Sequence, residues 1–366
     1  MTNPLKVGVI GVGNISGIYL KNSKWLKDID VVAVADLRMD AAKARADEYD
    51  IPQTMTVEEM LASDEIDLIL NITNPNAHAQ VALAAVSAGK SVYSEKPLTL
   101  TRDEGKAVLQ KAAENNVLVG CAPDTFLGAG HQTARKLIDD GAIGTPVAAS
   151  AFMMGWGMEM WHPNPEFYFK SGGGPMFDMG PYYLTDLIFM LGPVKQVTGM
   201  VTTGRKQRTI TSQPLAGQII DVEVPTHVTG LLEFESGAIG TIITSFDAAG
   251  ANVPRIEIHG TAGSISVPDP NIFGGSVMLK KPGEDWAEVE HTHIYDENSR
   301  GLGLADMAAA IKNGRSHRAN GELAYHVLDL MHAFHDAAEQ QQHITIESSC
   351  KRPSPMPQGL AYGEVG

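Results

Sequence analysis

The stretch KVGVIGVGNIS, residues 6–16, decides the fold of the first part of this chain. A short β-branched run at residues 7–10 stops at Gly11, and a segment with a helical pattern follows. Gly11 and Gly13 let the chain turn tightly, so that a phosphate group can reach the helix N-terminus, where free N–H groups and the helix dipole favour an anion. Ser16 takes the place of a third glycine and is small enough for close helix–strand packing. The stretch therefore predicts a phosphate-binding loop.

A carboxylate stands where such a loop needs one. Asp36 follows the apolar strand predicted at residues 31–35, and it lies 20 residues after Ser16. At this position a carboxylate accepts hydrogen bonds from the adenosine ribose hydroxyls of a dinucleotide. The simpler role of a helix cap is compatible with that one. The negative charge of Asp36 repels a 2′-phosphate and favours NAD, whereas Arg38 could pair with that phosphate, which leaves NADP open.

The composition limits the class of protein. The chain has 366 residues, which suggests two domains, and it is 43% hydrophobic and 19% charged, as soluble globular proteins are. A net charge of −15 argues against nucleic acid or an anionic membrane as a partner, because both need a basic surface. Two cysteines cannot form a disulfide framework or a four-thiolate zinc site. No apolar run reaches membrane-spanning length and no leader precedes the first strand, so we expect a cytoplasmic protein.

The first 120 residues alternate between strand-like and helix-like segments. Strands are predicted at residues 7–10, 31–35, 66–72, 91–93 and 117–119, and helices at 15–27, 38–49, 56–63, 76–88 and 101–115. The strands are continuously apolar, which is typical of a sheet covered on both faces. Right-handed crossovers between such strands give a doubly wound parallel sheet, a Rossmann domain, which we place at residues 1–123.

After about residue 123 the pattern changes to helices followed by a long strand-rich stretch. Helices are predicted at residues 130–140, 178–191, 304–312 and 323–341, and strands at 195–203, 227–234, 238–246, 255–259, 264–267, 276–280 and 287–294. We therefore expect a second α/β domain over residues 124–350. The tail, residues 351–366, carries three prolines in its first seven residues and is expected to run as an arm along the surface.

Three further motifs make a family resemblance specific. They are NITNPNAH at residues 71–78, EKP at residues 95–97 and GGGPMFDMGPYY at residues 172–183. Their order and spacing resemble those of the glucose–fructose oxidoreductase, inositol dehydrogenase and MocA family. The stretches LLEFESGAIGTI and IEIHGTAGSISV, at residues 231–242 and 256–267, resemble recurring strand pairs of the same family. The resemblance therefore covers nearly the whole chain.

The resemblance implies an architecture and a chemistry. A Rossmann domain precedes an α/β domain with a large, open, mostly antiparallel sheet, and the free face of that sheet forms a subunit interface, here of a homodimer or homotetramer. A nicotinamide cofactor would oxidise or reduce a hydroxyl of a sugar, cyclitol or related polyol. The residues expected to bind the cofactor are Gly11, Gly13, Asn14, Ile15, Asp36, Arg38, Thr73, Asn74, Pro75, His78, Glu95 and Lys96.

Lys96 is the candidate for proton transfer. It follows a parallel strand, at the sheet edge where ligands of open α/β sheets bind. A lysine beside an oxidised nicotinamide meets a like charge and partial desolvation, and both lower its pKa toward the range of a general base. The resemblance implies that Lys96 takes or gives the hydroxyl proton, that Glu95 supports the nicotinamide and that Pro97 fixes the turn.

Asp178 and Tyr182 are the other candidate catalytic residues. Four residues apart on one helix, they would lie about 40° apart on its face, whereas Tyr183 would point away and pack in the core. Asp178 could instead cap that helix, because Pro181 would then fall in the first turn. Inositol dehydrogenase-like members have histidine where this chain has Tyr182. A tyrosine, with an ordinary pKa of about 10, is better suited to donate a hydrogen bond.

Two segments are candidates for contact with the substrate. Asp124 and Thr125 lie in GCAPDTF at the crossover between the domains, where many relatives have arginine or asparagine. Trp161, His162 and Tyr168 lie in MEMWHPNPEFYF, residues 158–169, and could form a wall against a sugar ring or be part of a buried loop. The histidine pairs His332 with His335 and His291 with His293 lack a third ligand, so we expect no metal site.

The function expected from the sequence is an NAD(P)-dependent oxidoreductase that interconverts a hydroxyl and a ketone on a sugar, cyclitol or related polyol. A non-catalytic regulator that senses NAD(P) is one alternative. Another is a glycosidase that acts by transient oxidation and elimination and keeps its NAD bound throughout. Retention of Lys96, Asp178 and Tyr182 favours an enzyme, because a regulator would be free to lose them.

Overall fold

The computed structural model describes residues 3–366, and its first part is built on a parallel sheet. The six strands are β1 (Leu5–Ile10), β2 (Ile29–Ala35), β3 (Gln53–Thr54), β4 (Leu68–Asn71), β5 (Ser91–Ser94) and β6 (Val119–Cys121). All pairs are parallel and the strand order is β3-β2-β1-β4-β5-β6. The predicted doubly wound Rossmann sheet is confirmed, with its direction of winding reversing between β1 and β4.

Helices cover both faces of this sheet. They are α1 (Ser16–Ser23), α2 (Met39–Tyr49), α3 (Val57–Ala62), α4 (Pro75–Ser87) and α5 (Arg102–Glu114). Successive strand residues alternate between two cores: Val9 packs in one, and Ile10 packs in the other. Capping boxes begin α3 and α5: at α3 the hydroxyl of Thr56 accepts the N–H of Glu59 at 3.1 Å.

The second part of the chain forms a nine-stranded mixed sheet with helices on one side. Its elements are α6 (Ala129–Asp139), β7 (Pro146–Met154), α7 (Pro175–Asp178), α8 (Gly180–Leu191), β8 (Val194–Thr202), β9 (Gln207–Thr209), β10 (Ile219–Asp221), β11 (His227–Phe234), β12 (Ile239–Ser245), β13 (Ile256–Gly260), β14 (Ser264–Val267), β15 (Val277–Lys280), β16 (Ala287–Val289), α9 (Leu302–Asn313), α10 (Gly321–Gln340) and β17 (Ile344–Thr345). The strand order is β16-β15-β14-β13-β7-β12-β11-β8-β17, and β9 with β10 forms a separate hairpin. Apart from the parallel pair of β7 and β12, the strand pairs are antiparallel, so the expected mostly antiparallel sheet is confirmed.

The central strand of this sheet was not predicted. Strand β7 pairs with β12 on one side and β13 on the other, yet its sequence PVAASAFMM is rich in alanine and methionine, which have weak strand preference. The alternation expected of a strand appears only in the exposure of its side chains: Ala149, Ala151 and Met153 are buried. The two neighbouring strands, and not its own composition, therefore make this segment a strand.

Strand β16 is shorter than the sequence predicts. It ends at Val289, whereas the β-branched pattern continues to residue 294. Beyond it the chain leaves the sheet: the ring of His291 meets the carbonyl oxygen of Gly275 at 2.9 Å, and the N–H of Thr292 donates to the hydroxyl of Thr133 at 2.9 Å. These contacts take the place of hydrogen bonds to a neighbouring strand.

The helices of the second part hold the two sheets together. All twelve residues of α8 are buried, which matches an apolar helix enclosed on every side. Helix α10 contacts α8 and β8 and also reaches α5 and β6 of the parallel sheet. Among residues 3–366 no helix is long and apolar enough to cross a membrane.

The tail after β17 has no helix or strand but is fixed along its length. The guanidinium of Arg318 donates to the carbonyl of Val365 at 3.1 Å, and the hydroxyl of Tyr295 donates to that of Glu364 at 2.6 Å. The carbonyl of Gly363 accepts the N–H of Lys27 at 3.0 Å, which ties the tail to the first sheet's domain. Because Val365 is fully buried, this segment is more than the surface arm expected from its prolines.

Candidate active site

The loop after β1 presents an open helix N-terminus. Gly11 has φ +99°, and a Cβ there would lie 2.8 Å from the carbonyl oxygen of Ile72, so only glycine fits without a shift. A Cβ on Gly13 would meet no atom within 4 Å, so this side of the loop is open. No side chain caps α1, whose first turn also lacks an acidic residue. The uncapped N–H groups at the start of α1, beside open space, fit the pyrophosphate of a dinucleotide.

Asp36 lies at the end of β2 with its carboxylate against this loop. One oxygen, Oδ2, accepts the N–H of Val12 at 3.0 Å, and Oδ1 accepts the N–H of Arg38 at 2.9 Å. Asp36 does not cap α2, whose N-cap residue is Arg38 and receives no side-chain cap. The Arg38 guanidinium is mostly exposed, with its Nε 4.0 Å from Oδ1. The carboxylate is thus fixed at the predicted place for ribose recognition.

Replacing Asp36 with serine should raise the preference for NADP over NAD. The change removes the charge that repels a 2′-phosphate and leaves Arg38 free to pair with it. The measurement is the ratio of kcat/KM, or of Kd, for the two cofactors. Asp40→Ser, which removes a carboxylate from the first turn of α2, serves as the control. An unchanged ratio in Asp36→Ser would contradict the assignment of ribose selectivity to this carboxylate.

The ring of His78 connects the loop after β4 to the EKP turn. Asn74 precedes α4 and Pro75 opens it, and the side chain of Asn74 makes no cap hydrogen bond. The ring of His78 is 1% exposed, and its nitrogens lie 2.7 Å from the carbonyl oxygen of Pro97 and 3.0 Å from that of Thr73. Both ring nitrogens of His78 thus join this loop to the EKP turn, and its contact with the cofactor stays a prediction.

Glu95 is fixed directly after β5. Its Oε1 accepts the hydroxyl of Tyr19 at 2.8 Å and its Oε2 accepts the N–H of Lys96 at 2.9 Å. Tyr19 belongs to α1, the helix whose N-terminus faces the phosphate loop. The carboxylate thus links that helix to the start of the EKP turn, and it sets the direction in which Lys96 leaves the strand.

The three candidate catalytic residues meet at Lys96. Its Nζ donates to Oδ1 of Asp178 at 2.9 Å and to the carbonyl oxygen of the same residue at 2.6 Å. The Nζ atom also lies 5.2 Å from the ring centroid of Tyr182. The side chains of Lys96 and Asp178 are only 17% and 13% exposed, so this charge pair is largely shielded from water.

In the protein alone the pKa of Lys96 is raised, whereas the lowered value expected from the sequence belongs to the complex with an oxidised nicotinamide. Burial disfavours the ammonium form, but the charge and hydrogen bond of Asp178 favour it more strongly, and nearby Tyr182 acts in the same direction. Desolvation and the cofactor charge can be expected from the position of Lys96 in the sequence. The contact of its Nζ with a carboxylate from another domain cannot.

Asp178 does not cap the helix that carries Tyr182. It ends the short α7, and α8 begins at Gly180 after Met179, which supplies no side-chain cap. The prediction that Asp178 and Tyr182 share one helix face is also wrong, because the helix is interrupted between them. The interruption leaves the Asp178 carboxylate free for Lys96. Tyr183 is fully buried, as predicted, with its hydroxyl 3.4 Å from the carbonyl oxygen of Phe152.

Asp124 and Thr125 do not line the site, contrary to the prediction. They are 1% and 2% exposed. Oδ2 of Asp124 accepts the N–H groups of Gly301 and Gly303 at 2.8 and 3.0 Å, so the carboxylate holds the loop before α9. Burial raises the pKa of Asp124 to about 6, although these two hydrogen bonds oppose the shift. The crossover segment therefore supports the site from behind.

The rings of the aromatic segment, residues 158–169, contact one another. Trp161 is 63% exposed, and its ring meets that of His162 edge-on at 5.5 Å. The ring of Tyr168 stacks on Phe167 at 4.0 Å and meets the ring of His162 edge-on at 5.3 Å. Burial, with a smaller effect from the charge of Asp178, raises the pKa of Tyr168 to about 12. Of the three predicted wall residues, Tyr168 is the one whose pKa responds to the charge of Asp178.

Two arginines with well-defined partners were not predicted from the sequence. Arg300 is half-buried and donates to Oδ1 of Asn271 at 2.7 Å, and the buried Arg208 pairs with Glu159 of the aromatic segment. Neither belongs to a motif, and both sit in irregular or very short elements. Only their three-dimensional neighbours distinguish them from the other arginines of the chain.

The histidine pairs considered for a metal have other partners. Nε2 of His332 lies 3.0 Å from the carbonyl oxygen of Leu100, and both His332 and His335 pack against the ring of Phe177. Nε2 of His293 lies 3.1 Å from the carbonyl oxygen of Met356. Within residues 3–366 no group of three histidine, cysteine, aspartate or glutamate side chains is arranged to hold a metal ion.

The parallel sheet, the open phosphate loop with its carboxylate, and a lysine at a strand end define an NAD-binding oxidoreductase. More specifically, the chain belongs to the Gfo/Idh/MocA family. Residues 5–122 match the family model described as "Oxidoreductase family, NAD-binding Rossmann fold", and residues 131–266 match the "GFO/IDH/MocA C-terminal domain".

Several proteins named as sugar or inositol oxidoreductases are similar to this chain. The chain is 26% identical to 1,5-anhydro-D-fructose reductase of Ensifer adhaerens over 86% of this chain and 90% of that protein. It is 23% identical to myo-inositol 2-dehydrogenase of Thermotoga maritima, with 94% and 99% covered. It is also 27% identical to levoglucosan dehydrogenase of Pseudarthrobacter phenanthrenivorans, with 64% and 63% covered.

Solved structures show the same fold. Levoglucosan dehydrogenase in its apo form superposes with a TM-score of 0.83 at 21% identity, over 95% of this chain and all of that chain. Its complex with NADH and levoglucosan gives a TM-score of 0.79 at 21% identity, with 94% and 100% covered. An aldose–aldose oxidoreductase from Caulobacter crescentus in complex with glycerol gives 0.79 at 20% identity, with the same coverage.

Proposed function

We propose that this protein is an NAD-dependent dehydrogenase that interconverts a hydroxyl and a ketone on a sugar, cyclitol or related polyol. The observation that carries the proposal is the contact of Lys96 Nζ with Asp178 beside Tyr182, at the carboxyl edge of the parallel sheet. Relatives named for anhydrofructose, inositol and levoglucosan support the substrate class. The fixed Asp36 carboxylate supports NAD over NADP.

Each side chain has a distinct part in this chemistry. The nicotinamide accepts or supplies the hydride when it is bound. Lys96 gives its Nζ proton to the ketone oxygen during reduction and takes it back during oxidation. Asp178 holds the ammonium at 2.9 Å, and Tyr182 donates a hydrogen bond to the same substrate oxygen. The phenol of Tyr168 provides a surface for the sugar ring, since aromatic faces pack on apolar C–H groups.

The raised pKa of Lys96 affects reduction and oxidation differently. The ammonium form persists at neutral pH and is ready to donate a proton, as reduction requires. Oxidation requires the neutral amine, which becomes available only as the pH rises or as the charge of the bound oxidised cofactor disfavours the ammonium. We therefore expect reduction to be fast at neutral pH and the rate of oxidation to rise toward alkaline pH.

Replacing Asp178 with asparagine should shift the pH profile of oxidation toward acid. The charge and hydrogen bond of Asp178 raise the pKa of Lys96, so a neutral side chain lowers it and the amine forms at lower pH. An opposite charge at this distance is worth about one to three pH units. The measurement is the acidic limb of kcat/KM against pH. A limb that stays in place while kcat falls would show that Asp178 binds substrate without tuning Lys96.

The proposal is tested by a screen of sugars, cyclitols and glycosides for reduction of NAD and NADP, followed by absorbance of the reduced nicotinamide. The purified wild-type chain is compared with Lys96→Met, which separates its own turnover from that of contaminants. Robust oxidation of one compound class supports the proposal. Cleavage of glycosides without net cofactor reduction, with NAD retained on dialysis, would replace it by the elimination mechanism.

We also propose that two copies meet through the free face of the nine-stranded sheet. Met200, Leu231 and Ile239 lie on that face and are 80%, 47% and 56% exposed. Neighbouring strands add the partly buried Phe152 and Ile243 on the same face, where threonines such as Thr229 and Thr241 lie between the apolar side chains. A patch of this kind on a monomer is typical of an interface.

Replacing Leu231 with glutamate should convert the oligomer to monomers, because it would bury an unpaired charge in the interface. The measurement is the sedimentation equilibrium mass over a range of concentrations. Ile219→Glu is the matched control, since Ile219 is 62% exposed but lies on the separate hairpin. A monomeric wild-type protein, or an unchanged mass in Leu231→Glu, would contradict this arrangement.

A further inference from the structure

A buried tyrosine of α1 contacts the residue that precedes Lys96. The side chain of Tyr19 is 2% exposed, and its hydroxyl donates to Oε1 of Glu95 at 2.8 Å. Glu95 is also buried, so this hydrogen bond forms away from water. Burial and the charge of Glu95 raise the pKa of Tyr19, so the hydroxyl keeps its proton and acts as the donor. A hydrogen bond to a carboxylate is stronger than one between two neutral groups.

The second oxygen of the same carboxylate holds the backbone of Lys96. Oε2 of Glu95 accepts the N–H of Lys96 at 2.9 Å. Because a carboxylate is planar, fixing one oxygen restrains the other. The backbone of Glu95 is held separately: its N–H donates to the carbonyl oxygen of Asn71 at 2.8 Å, and its carbonyl oxygen accepts the thiol of Cys121 at 3.6 Å. The hydrogen bond from Tyr19 therefore restrains the side chain of Glu95 and, through it, the amide of Lys96.

The helix that carries Tyr19 is anchored to the second part of the chain. The side-chain amide of Asn22, also in α1, donates to the carbonyl oxygens of Asn298 and Arg300 at 3.0 and 2.9 Å. Both carbonyl groups belong to the loop before α9. A displacement of α1 would break these hydrogen bonds, so the hydroxyl of Tyr19 is presented from a fixed position.

The two ends of Lys96 are held by different carboxylates. Asp178 binds the ammonium at 2.9 Å, whereas Glu95 binds the amide. The lysine side chain is a flexible four-carbon stem, so a contact at Nζ alone leaves the backbone end free to shift. Proton transfer depends on the position of Nζ, since a misplacement of about 1 Å can cost about a hundredfold in rate.

We propose that Tyr19 is a positioning residue that holds Lys96 in place for proton transfer through the carboxylate of Glu95. The inference rests on the proposed function for the role of Lys96, and on two hydrogen bonds for the way in which Lys96 is held. Tyr19→Phe keeps the ring and removes the donor. Oε1 of Glu95 is then a buried acceptor without a partner, so the carboxylate is expected to turn toward another donor and to loosen its hold on the Lys96 amide.

The first experiment measures hydrogen–deuterium exchange of the Lys96 amide in the purified protein without substrate. Overlapping peptides that span residues 94–98 are followed by mass spectrometry. In Tyr19→Phe this amide should exchange about tenfold faster, since a hydrogen bond to a charged group is worth about that factor or more. Tyr19→Met also lacks the hydroxyl and takes its place if the phenylalanine variant does not fold. Unchanged exchange in the folded variant would overturn the inference.

Tyr93→Phe is the matched control for this measurement. Tyr93 is fully buried two residues before Glu95, and its hydroxyl has no hydrogen-bond partner among residues 3–366. Its replacement removes a phenol hydroxyl from the same region without removing a donor to the carboxylate. Exchange of the Lys96 amide should therefore stay as in wild type. Equal acceleration in both variants would overturn the inference, because the effect would then come from packing.

The second experiment is a double-mutant cycle of kcat on the substrate found by the screen. Tyr19→Phe should lower kcat about tenfold and change KM for the sugar little, because it displaces Lys96 and not a substrate contact. In a Glu95→Ala background the same change should cost almost nothing further, because both act on one link. Normal kcat in Tyr19→Phe, or additive losses, would overturn the inference.

The two experiments separate this inference from the proposed function, because the exchange measurement needs no substrate. If the screen finds no oxidised compound, the proposed function fails, while faster exchange in Tyr19→Phe still supports the hold of Tyr19 on Lys96. If a substrate is found, unchanged exchange or unchanged kcat in Tyr19→Phe overturns the positioning role alone.

Discussion

Replacing Lys96 with methionine should lower kcat by about 10²–10⁴-fold while the Kd for NAD changes little. The factor is that of a general acid or base removed from the transition state. The side chain is the group that Asp178 and Tyr182 surround, and no water-exposed lysine could replace it at the same atom. Cofactor binding should survive because the phosphate loop and Asp36 lie at the other end of the site.

Turnover of Lys96→Met is measured on the substrate identified by the screen, and NAD affinity by quenching of intrinsic fluorescence. Lys43→Met is the matched control, because Lys43 is an exposed lysine of α2. Near-normal turnover in Lys96→Met would mean that another group moves the proton. Loss of NAD binding together with turnover would assign Lys96 to the cofactor site alone.

The second large effect concerns stability. Arg208→Met should lower the free energy of unfolding by about 3–5 kcal/mol, the usual cost of removing one partner from a buried ion pair. Arg208 Nη1 donates to Oε1 of Glu159 at 2.7 Å, and Nη2 donates to Oδ1 of Asp247 at 2.5 Å. The side chains of Arg208 and Glu159 are 1% and 4% exposed, so methionine would leave a buried carboxylate without its cation.

The same cluster holds the aromatic segment against the β9–β10 hairpin. The carbonyl oxygen of Glu159 accepts the N–H of Thr211 at 2.9 Å, and the hydroxyl of Ser212 donates to the carbonyl oxygen of His162 at 2.6 Å. Because Tyr168 belongs to this segment, the KM for the sugar should rise in the Arg208 variant. Loss of stability and weaker substrate binding should therefore appear together.

Stability of Arg208→Met is measured by urea denaturation of the purified chain. Arg205→Met is the matched control: Arg205 is exposed and stacks on Trp156 with its guanidinium 3.9 Å from the ring centroid, a contact worth about 0.5–1 kcal/mol at the surface. If both variants unfold within 1 kcal/mol of wild type, the charges around Arg208 are solvated and the ion cluster does not stabilise the fold.

The features that could be predicted from the sequence depend on residues within one turn or on two adjacent strands. The phosphate loop needs a glycine with positive φ at position 11, and Asp36 needs only to follow the adjacent strand. The capping boxes of α3 and α5 likewise involve residues three positions apart. In each case the physical constraint spans a single turn or a single strand pair, so the residue pattern records it.

Where the prediction was wrong, a partner distant in the sequence was the reason. Strand β7 has little strand preference of its own and is held by β12 and β13. The EKP motif placed Lys96 correctly, but its carboxylate partner is 82 residues further along the chain. Asp124 was predicted to contact the substrate because it is a polar residue at the crossover between the domains. In the fold its carboxylate instead accepts the N–H groups of Gly301 and Gly303.

The sequence by itself therefore determined the parallel sheet, the cofactor loop with its carboxylate, and the identity of the lysine. The tertiary structure alone decided the carboxylate partner of that lysine and the ion cluster beneath the aromatic segment. The physical reason is that backbone conformation is set by local sterics and hydrogen bonds, whereas a pKa or a buried charge depends on which groups the fold brings within a few ångströms.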